Sequence, residues 1–491
     1  MASKSVIIIG SGFAGLSAAS FMAKAGWRVT VLEKQNGPGG RAGQLKEAGF
    51  TFDRGPSFYW MPDVFERFFN QFGKKVADYY HLERLDPSYR IYWNDGFNDI
   101  PASYNELKKL FEALEPGSAE KLDKYLNAAA YKYEVGMKKM VYKPGRSVFE
   151  LMDWQTISGV LKLQVFSSIR KEIAKHFQHP KLRQLLEFPV LFLGAMPQDT
   201  PALYSLMNYA DIKGGTWYPQ GGMYAVVNAM YKLAMDLGVQ FHFSEAVEST
   251  TVLDRQIKTV VTKKNIYEPD LVISSADYHF TDSKLYPERF RSYSDAYWNK
   301  KIMAPSCLLY YVGLNKKLKG AVHHSLFFDT SFEKHGNEIY INPQWPETPL
   351  FYVSMSSVSD KETAPAGCEN IVLLVPIASG LSGDTEAIRE KYFQIIFSRL
   401  EKHIGEPLKE FVVYKKSYSI SDFRNDFNSF KGNAYGMANT LMQTAVFRPS
   451  CRSKKIKNLF FAGQLTVPGP GVPPCIISGE VAALEAMKNF P

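Results

Sequence analysis

The residues best placed to do chemistry in this chain are glycines with one acid behind them. Gly10-Ser11-Gly12-Phe13-Ala14-Gly15 follows the β-branched run Val6–Ile9 and opens the Ala- and Ser-rich stretch Leu16–Lys24. This spacing suits a phosphate cradle. The first glycine permits a tight turn, the second lets the backbone approach a pyrophosphate, and the third lets the helix pack on the strand. The helix start at Phe13 and Ala14 then offers free N–H groups and a positive dipole end to the phosphates. A second strand, Arg28–Leu32, ends in Glu33, which is placed to accept hydrogen bonds from a ribose. An acid there disfavours a 2′-phosphate. The unit predicts a dinucleotide ligand.

Two further constellations select FAD over NAD. Lys34 leads into Gly37-Pro38-Gly39-Gly40-Arg41-Ala42, a turn suited to a second wrap around a long ligand, with Arg41 near the pyrophosphate or flavin. Gly49–Asp53 reads as an apolar strand ending in the turn Gly55-Pro56-Ser57. Taken alone, these could be ordinary hairpin punctuation. The C-terminal region adds a strand running into Gly463, then Gly471-Val472-Pro473 before an Ala-rich helix. A second helix N-terminus there can sit at the pyrimidine side of a flavin and stabilise negative charge on the reduced ring. An NAD site has no need of it.

Other chemistries find little support. His176 and His179, and the pair His323-His324, lack carboxylate or Cys companions at ligand spacing, so no metal is expected. The chain has no GxSxG and no HExxH. Its four cysteines, Cys307, Cys368, Cys451 and Cys475, are widely spaced, which suits a reducing compartment. Cys475 lies inside the C-terminal flavin constellation. The net charge of +9 is spread over 491 residues in short runs, which does not suit a nucleic-acid binder.

These motifs require a particular scaffold. At 45% hydrophobic and 22% charged, the composition is that of a folded chain with several domains' worth of core. The uncharged stretch 6–23 imitates a signal peptide or membrane span, but its strand–turn–helix pattern identifies it as the first βα unit. Because the cofactor motifs lie at both ends and in the middle, the cofactor domain must be discontinuous: residues 1–75, 215–280 and 440–491. Residues 76–214 and 281–439 form a second region, helical from 100 to 215 and mixed from 300 to 440. The expected fold class is α/β: a Rossmann-like FAD-binding domain on a parallel sheet, plus a mixed α+β substrate domain with a helical insert. Within 161–177, Phe166, Ile169, Ile173 and Phe177 recur at three- and four-residue steps beside basic residues. Such a stripe either faces the core or lies on a membrane.

GSGFAGL, the GGRA after an acidic strand end, GFTFDRGPS, YPQGGM at 218–223 and LFFAGQLTVPGPGVPPCIISGE together resemble the bacterial phytoene desaturase-type carotenoid desaturases, in order and over essentially the whole chain. Overall likeness points further, to the branch that 3,4-desaturates 1-hydroxylated acyclic carotenoids. The resemblance implies non-covalent FAD and hydride transfer to flavin N5, with quinone or O2 as electron acceptor. It implies a carotenoid drawn from a membrane, and therefore a cytoplasmic protein peripherally associated with the inner membrane face. It places adenine against Val247, otherwise a core valine, and an assisting acid at Asp153, otherwise a helix cap. An amine-oxidase-like enzyme and a non-catalytic prenyl-lipid carrier on the same scaffold are the alternatives.

Overall fold

The computed structural model describes residues 4–147, 163–191 and 194–490. The glycine-loop unit lies in a five-stranded parallel sheet with the order Leu459–Phe461, Leu271–Ser274, Ser5–Ile9, Arg28–Leu32, Gln240–His242. The inner strands are continuous apolar runs because both faces are covered. Ser5–Ile9 is buried from Val6 to Ile9 and Leu271–Ser274 throughout. One covering helix, Phe13–Lys24, is rich in small residues. Ala18 and Ala19 join Ala482, Ala483 and Ala486 of Val472–Asn489 in one cluster of buried side chains. Helix Met223–Asp236 packs on the same side, and the stretch 6–23 is thus strand and helix. No helix among the described residues is long and apolar enough to cross a membrane.

A seven-stranded mixed sheet forms the second layer. Its order is Val412–Tyr418, Ser306–Leu314, Glu369–Ile377, Phe351–Ser354, His324–Phe327, Tyr89–Trp93, Gly96–Ile100. The two-residue alternation of a strand divides its faces. Leu308, Tyr310 and Val312 pack against helix Glu386–Ile404, while Cys307, Leu309 and Tyr311 belong to the core on the opposite face. All four cysteines are free.

The helical region comprises Tyr104–Leu114, Ser118–Val135, Ile169–His176 and Pro180–Leu191. Of the two readings of the stripe, the core-facing one holds for its helix. Ile169, Ile173 and Phe177 are fully buried, and the Phe177 ring lies 5.7 Å from Phe111 and 6.0 Å from Tyr125. The apolar face of this helix is core. Phe166 does not share it: it precedes the helix, which Ser168 caps by accepting from Lys171 N–H, and is 84% exposed.

Candidate active site

A cavity of about 1640 Å³, open solvent at its mouth included, runs between the two layers. Of the sequence-derived candidates, Gly10, Gly12, Phe13, Ala14, Glu33, Lys34, Gly40, Arg41, Gly55, Pro56, Val247, Gly463, Gly471 and Val472 all line it. Gly15, Ser57 and Pro473 do not. Gly15 sits behind the loop, where a Cβ would meet the Gly10 carbonyl at 2.1 Å, so only glycine allows this approach. Ser57 bonds the Tyr352 hydroxyl beyond the cavity. Asp153 lies outside the described residues.

Two uncapped helix N-termini converge on the cavity, at Phe13 and at Val472. Their N–H groups and dipoles favour negative charge. Beside the first, Gly12 has open space where a Cβ would stand. Glu33 is buried. Its Oε2 accepts from Ser11 N–H at 2.7 Å and Ser11 Oγ at 2.8 Å, and its Oε1 accepts from Gln35 N–H at 2.8 Å. A carboxylate has about four lone-pair sites, so Glu33, which lines the cavity, keeps capacity for one further donor.

Arg41 reaches across from the turn Gly40–Ala42. Its Nη2 donates to Ser429 Oγ at 3.1 Å and its guanidinium lies 5.2 Å from the Phe427 ring centre, while Nε is buried without a partner. Burial holds its pKa below the usual arginine value, against the opposing pull of Asp277. An orphaned buried donor beside two helix N-termini and a glycine cradle fits the pyrophosphate and ring of FAD. Val247 opens strand Val247–Leu253 and is both wall and core. Cys475 also lines the cavity; burial pushes its thiol up to about 12, which keeps it protonated.

Several wall residues carry no sequence signal. Asp277 caps helix Tyr278–Lys284 by accepting from Phe280 N–H and also accepts from Phe430 N–H, each at 3.1 Å. Asp426 takes Arg54 and the Tyr418 hydroxyl, each at 2.9 Å. Leu309, Leu374, Phe423, Phe427 and Tyr435 complete an apolar roof from the second layer. Asp53, read only as a strand end, accepts from Met223 N–H at 2.7 Å and Tyr224 N–H at 3.2 Å. It caps helix Met223–Asp236, and a Cβ on Gly222 would come within 2.5 Å of its carboxylate. Burial raises its pKa to about 7. Behind Leu374 and Tyr435, which border both, lies an apolar cavity of about 680 Å³ walled by Phe188, Phe328, Phe332 and Ile339. His323 and His324 lie in the core: His323 Nδ1 pairs with Ser359 Oγ at 2.9 Å and His324 Nδ1 with the Tyr352 hydroxyl at 2.6 Å.

This fold and cavity define an FAD-dependent oxidoreductase, and the comparisons agree. The flavin containing amine oxidoreductase family matches residues 13–487. A carotenoid 3,4-desaturase of Haloarcula japonica is 40% identical, covering 100% of this chain and 99% of that one. A 4,4′-diapophytoene desaturase of Staphylococcus haemolyticus is 30% identical, covering 98% of each. The crystal structure of an oxidoreductase from Methanosarcina mazei shares the fold at a TM-score of 0.63 and 17% identity, over 99% of this chain and 100% of that one. The chain belongs to the flavin containing amine oxidoreductase family, in its carotenoid desaturase branch.

Proposed function

We propose that this enzyme introduces a C=C bond into an acyclic carotenoid, with 3,4-desaturation of a 1-hydroxylated carotenoid as the particular reaction. The observation that carries this reading is the 40% identity, end to end, with a carotenoid 3,4-desaturase. FAD, when bound, supplies the hydride acceptor. The chain's own residues bind and orient. Glu33 takes ribose, the N-termini at Phe13 and Val472 with Arg41 take the anionic and ring portions, and Val247 packs on adenine. The roof of Leu309, Leu374, Phe423 and Tyr435 excludes water and holds a polyene in register. The carotenoid end lies in the apolar cavity behind Leu374. Conjugation stabilises the electron-poor carbon, so little acid–base power is required of side chains.

The substrate is drawn from a membrane, and Phe166 is one anchor in our reading. A second exposed apolar group comprises Ile302, Leu441, Met442 and Phe447, linked to the 200–204 turn where Tyr204 bonds Thr444. A quinone or O2 reoxidises the flavin, and the enzyme works on the cytoplasmic membrane face. Coexpression with phytoene or with 1-hydroxylated acyclic carotenoids, followed by pigment spectra, tests the reading. A longer chromophore from the hydroxylated substrate alone is expected. Conversion of phytoene alone would overturn the 3,4-assignment.

A further inference from the structure

Away from the cofactor cavity, a second cavity of about 1100 Å³, with open solvent included, is lined by Arg146, Arg448, Arg452, Lys454, Tyr293, Tyr297 and Phe447 among others. Among the described residues its charge is unbalanced. Arg146 pairs with Glu485. The Arg452 guanidinium donates to the neutral Asn489 side chain, at 2.6 Å, and pairs with no carboxylate among the described residues. Lys454 lies 4.1 Å from the Tyr293 ring centre and forms no ion pair among the described residues. Arg448 is only 4% exposed, yet its partners are the carbonyls of Met437 and Gln464 and the Asn439 side chain, and its Nε has none. A buried guanidinium without a carboxylate is an expensive arrangement unless an anion completes it; burial already holds Arg448 down to about 10. The rim is apolar. Val446 and the half-exposed Phe447 line it, and the exposed Met442 and Ile302 continue from it, joined by Ile302 N–H donating to Gln443 Oε1 at 3.0 Å.

A buried Arg448 behind the more accessible Arg452 and Lys454, with apolar side chains beside them, matches an amphiphile with an anionic head. We propose that this cavity is a headgroup site for an anionic phospholipid: the phosphate sits among Arg448, Arg452 and Lys454, and the acyl chains leave across Val446 and Phe447 into the bilayer. The site rests on the membrane reading above and sharpens it. It orients the enzyme on an anionic leaflet and does not merely attach it.

The test uses the full-length, FAD-loaded protein and two vesicle preparations, phosphatidylcholine alone and phosphatidylcholine with phosphatidylglycerol. Wild type should prefer the anionic vesicles by roughly tenfold or more, since each basic residue near an anionic surface is worth about fivefold on the affinity scale and several line this cavity. Arg452→Gln with Lys454→Gln should abolish the preference while FAD absorbance and binding to neutral vesicles persist. Lys263→Gln with Lys264→Gln removes the same charge from an exposed turn of another sheet and should keep the preference. Arg448→Gln is expected to act as the double variant does, with rescue by Arg448→Lys; if Arg448→Gln fails to fold, the Arg452/Lys454 variant still decides. Equal wild-type binding to both vesicles would overturn the headgroup site and leave membrane association standing. Equal loss in the Lys263/Lys264 variant would also overturn it. So would calorimetric binding of inorganic phosphate as tight as that of anionic vesicles and abolished in the Arg452/Lys454 variant, which would assign the cavity to a free phosphate ligand.

Discussion

Glu33 braces the glycine loop through Ser11, lines the cavity and keeps capacity for one further donor. Its replacement therefore removes a ribose contact and frees a buried N–H as well. Glu33→Ala should weaken FAD by at least roughly 10- to 100-fold, the equivalent of about 1.5–3 kcal/mol for a charge-assisted bond. Titration of the apoprotein with FAD measures this, and unchanged affinity would remove Glu33 from the site. Cys475 supports a second expectation. A protonated, buried thiol is a poor nucleophile, so acid precipitation should release the flavin to the supernatant. Flavin in the pellet would indicate a covalent link there. The third concerns Asp53. Its folded pKa, about 7, lies above the ordinary 3.8. A raised carboxylate pKa means that the folded state holds the proton more tightly. Its contribution to stability is thus full below 3.8 and lost as pH rises through about 7. In thermal melts, the stability difference between wild type and Asp53→Asn should shift against wild type across that window; a flat difference would show that Asp53 does not titrate there. The glycines and Glu33 were legible in the sequence because their geometry is local, a strand, turn and helix within one short stretch. The capping role of Asp53 was not, because its partners stand 170 residues away and nothing near either end announces the pairing.

Among elements, helix Ile169–His176 shows what periodicity alone leaves open. Its three- and four-residue steps define an apolar face but not what covers it. The answer depends on Phe111 and Tyr125 of earlier helices, whose placement is a tertiary fact. Phe166 extends the same numerical pattern but falls outside the helix, so its side chain leaves the face. The two positions should therefore respond oppositely to the same substitution. Ile173→Asp buries a carboxylate without a partner, at a cost of several kcal/mol, and should give insoluble protein that has lost FAD. Phe166→Asp should leave solubility and FAD unchanged and weaken liposome co-sedimentation, because it removes one apolar anchor worth up to about 1.5–3 kcal/mol. A soluble, FAD-loaded Ile173→Asp protein would contradict the buried face. Unaltered vesicle binding by Phe166→Asp would take that residue out of the membrane contact.

At the scale of the whole molecule, the parallel sheet holds the cofactor and the mixed sheet roofs it, and the reacting bond must lie where the two meet. The discontinuity of the cofactor layer followed from the order of the motifs. The roof did not, since Leu309, Leu374 and Tyr435 come from separate strands and a loop with no common signature. In the proposed reading, the apolar cavity behind Leu374 and Tyr435 receives the carotenoid end and limits how far the chain runs past the flavin. Desaturation close to one end of a long polyene suits a short arm of this kind, with the remainder of the chain leaving by the other side. Ile339 lines that arm and is 9% exposed. Ile339→Trp should fill it at an overpacking cost of about 1–3 kcal/mol, which a melting curve and the FAD absorbance would show the protein survives. Turnover should then fall by roughly tenfold or more, because a bond displaced by about 1 Å from its reacting geometry loses about two orders of magnitude. Ile339→Val, which enlarges the arm, should retain activity. If Ile339→Trp keeps wild-type turnover and product pattern while holding FAD, the carotenoid end does not enter this cavity, and the polyene must pass the flavin along another face of the roof.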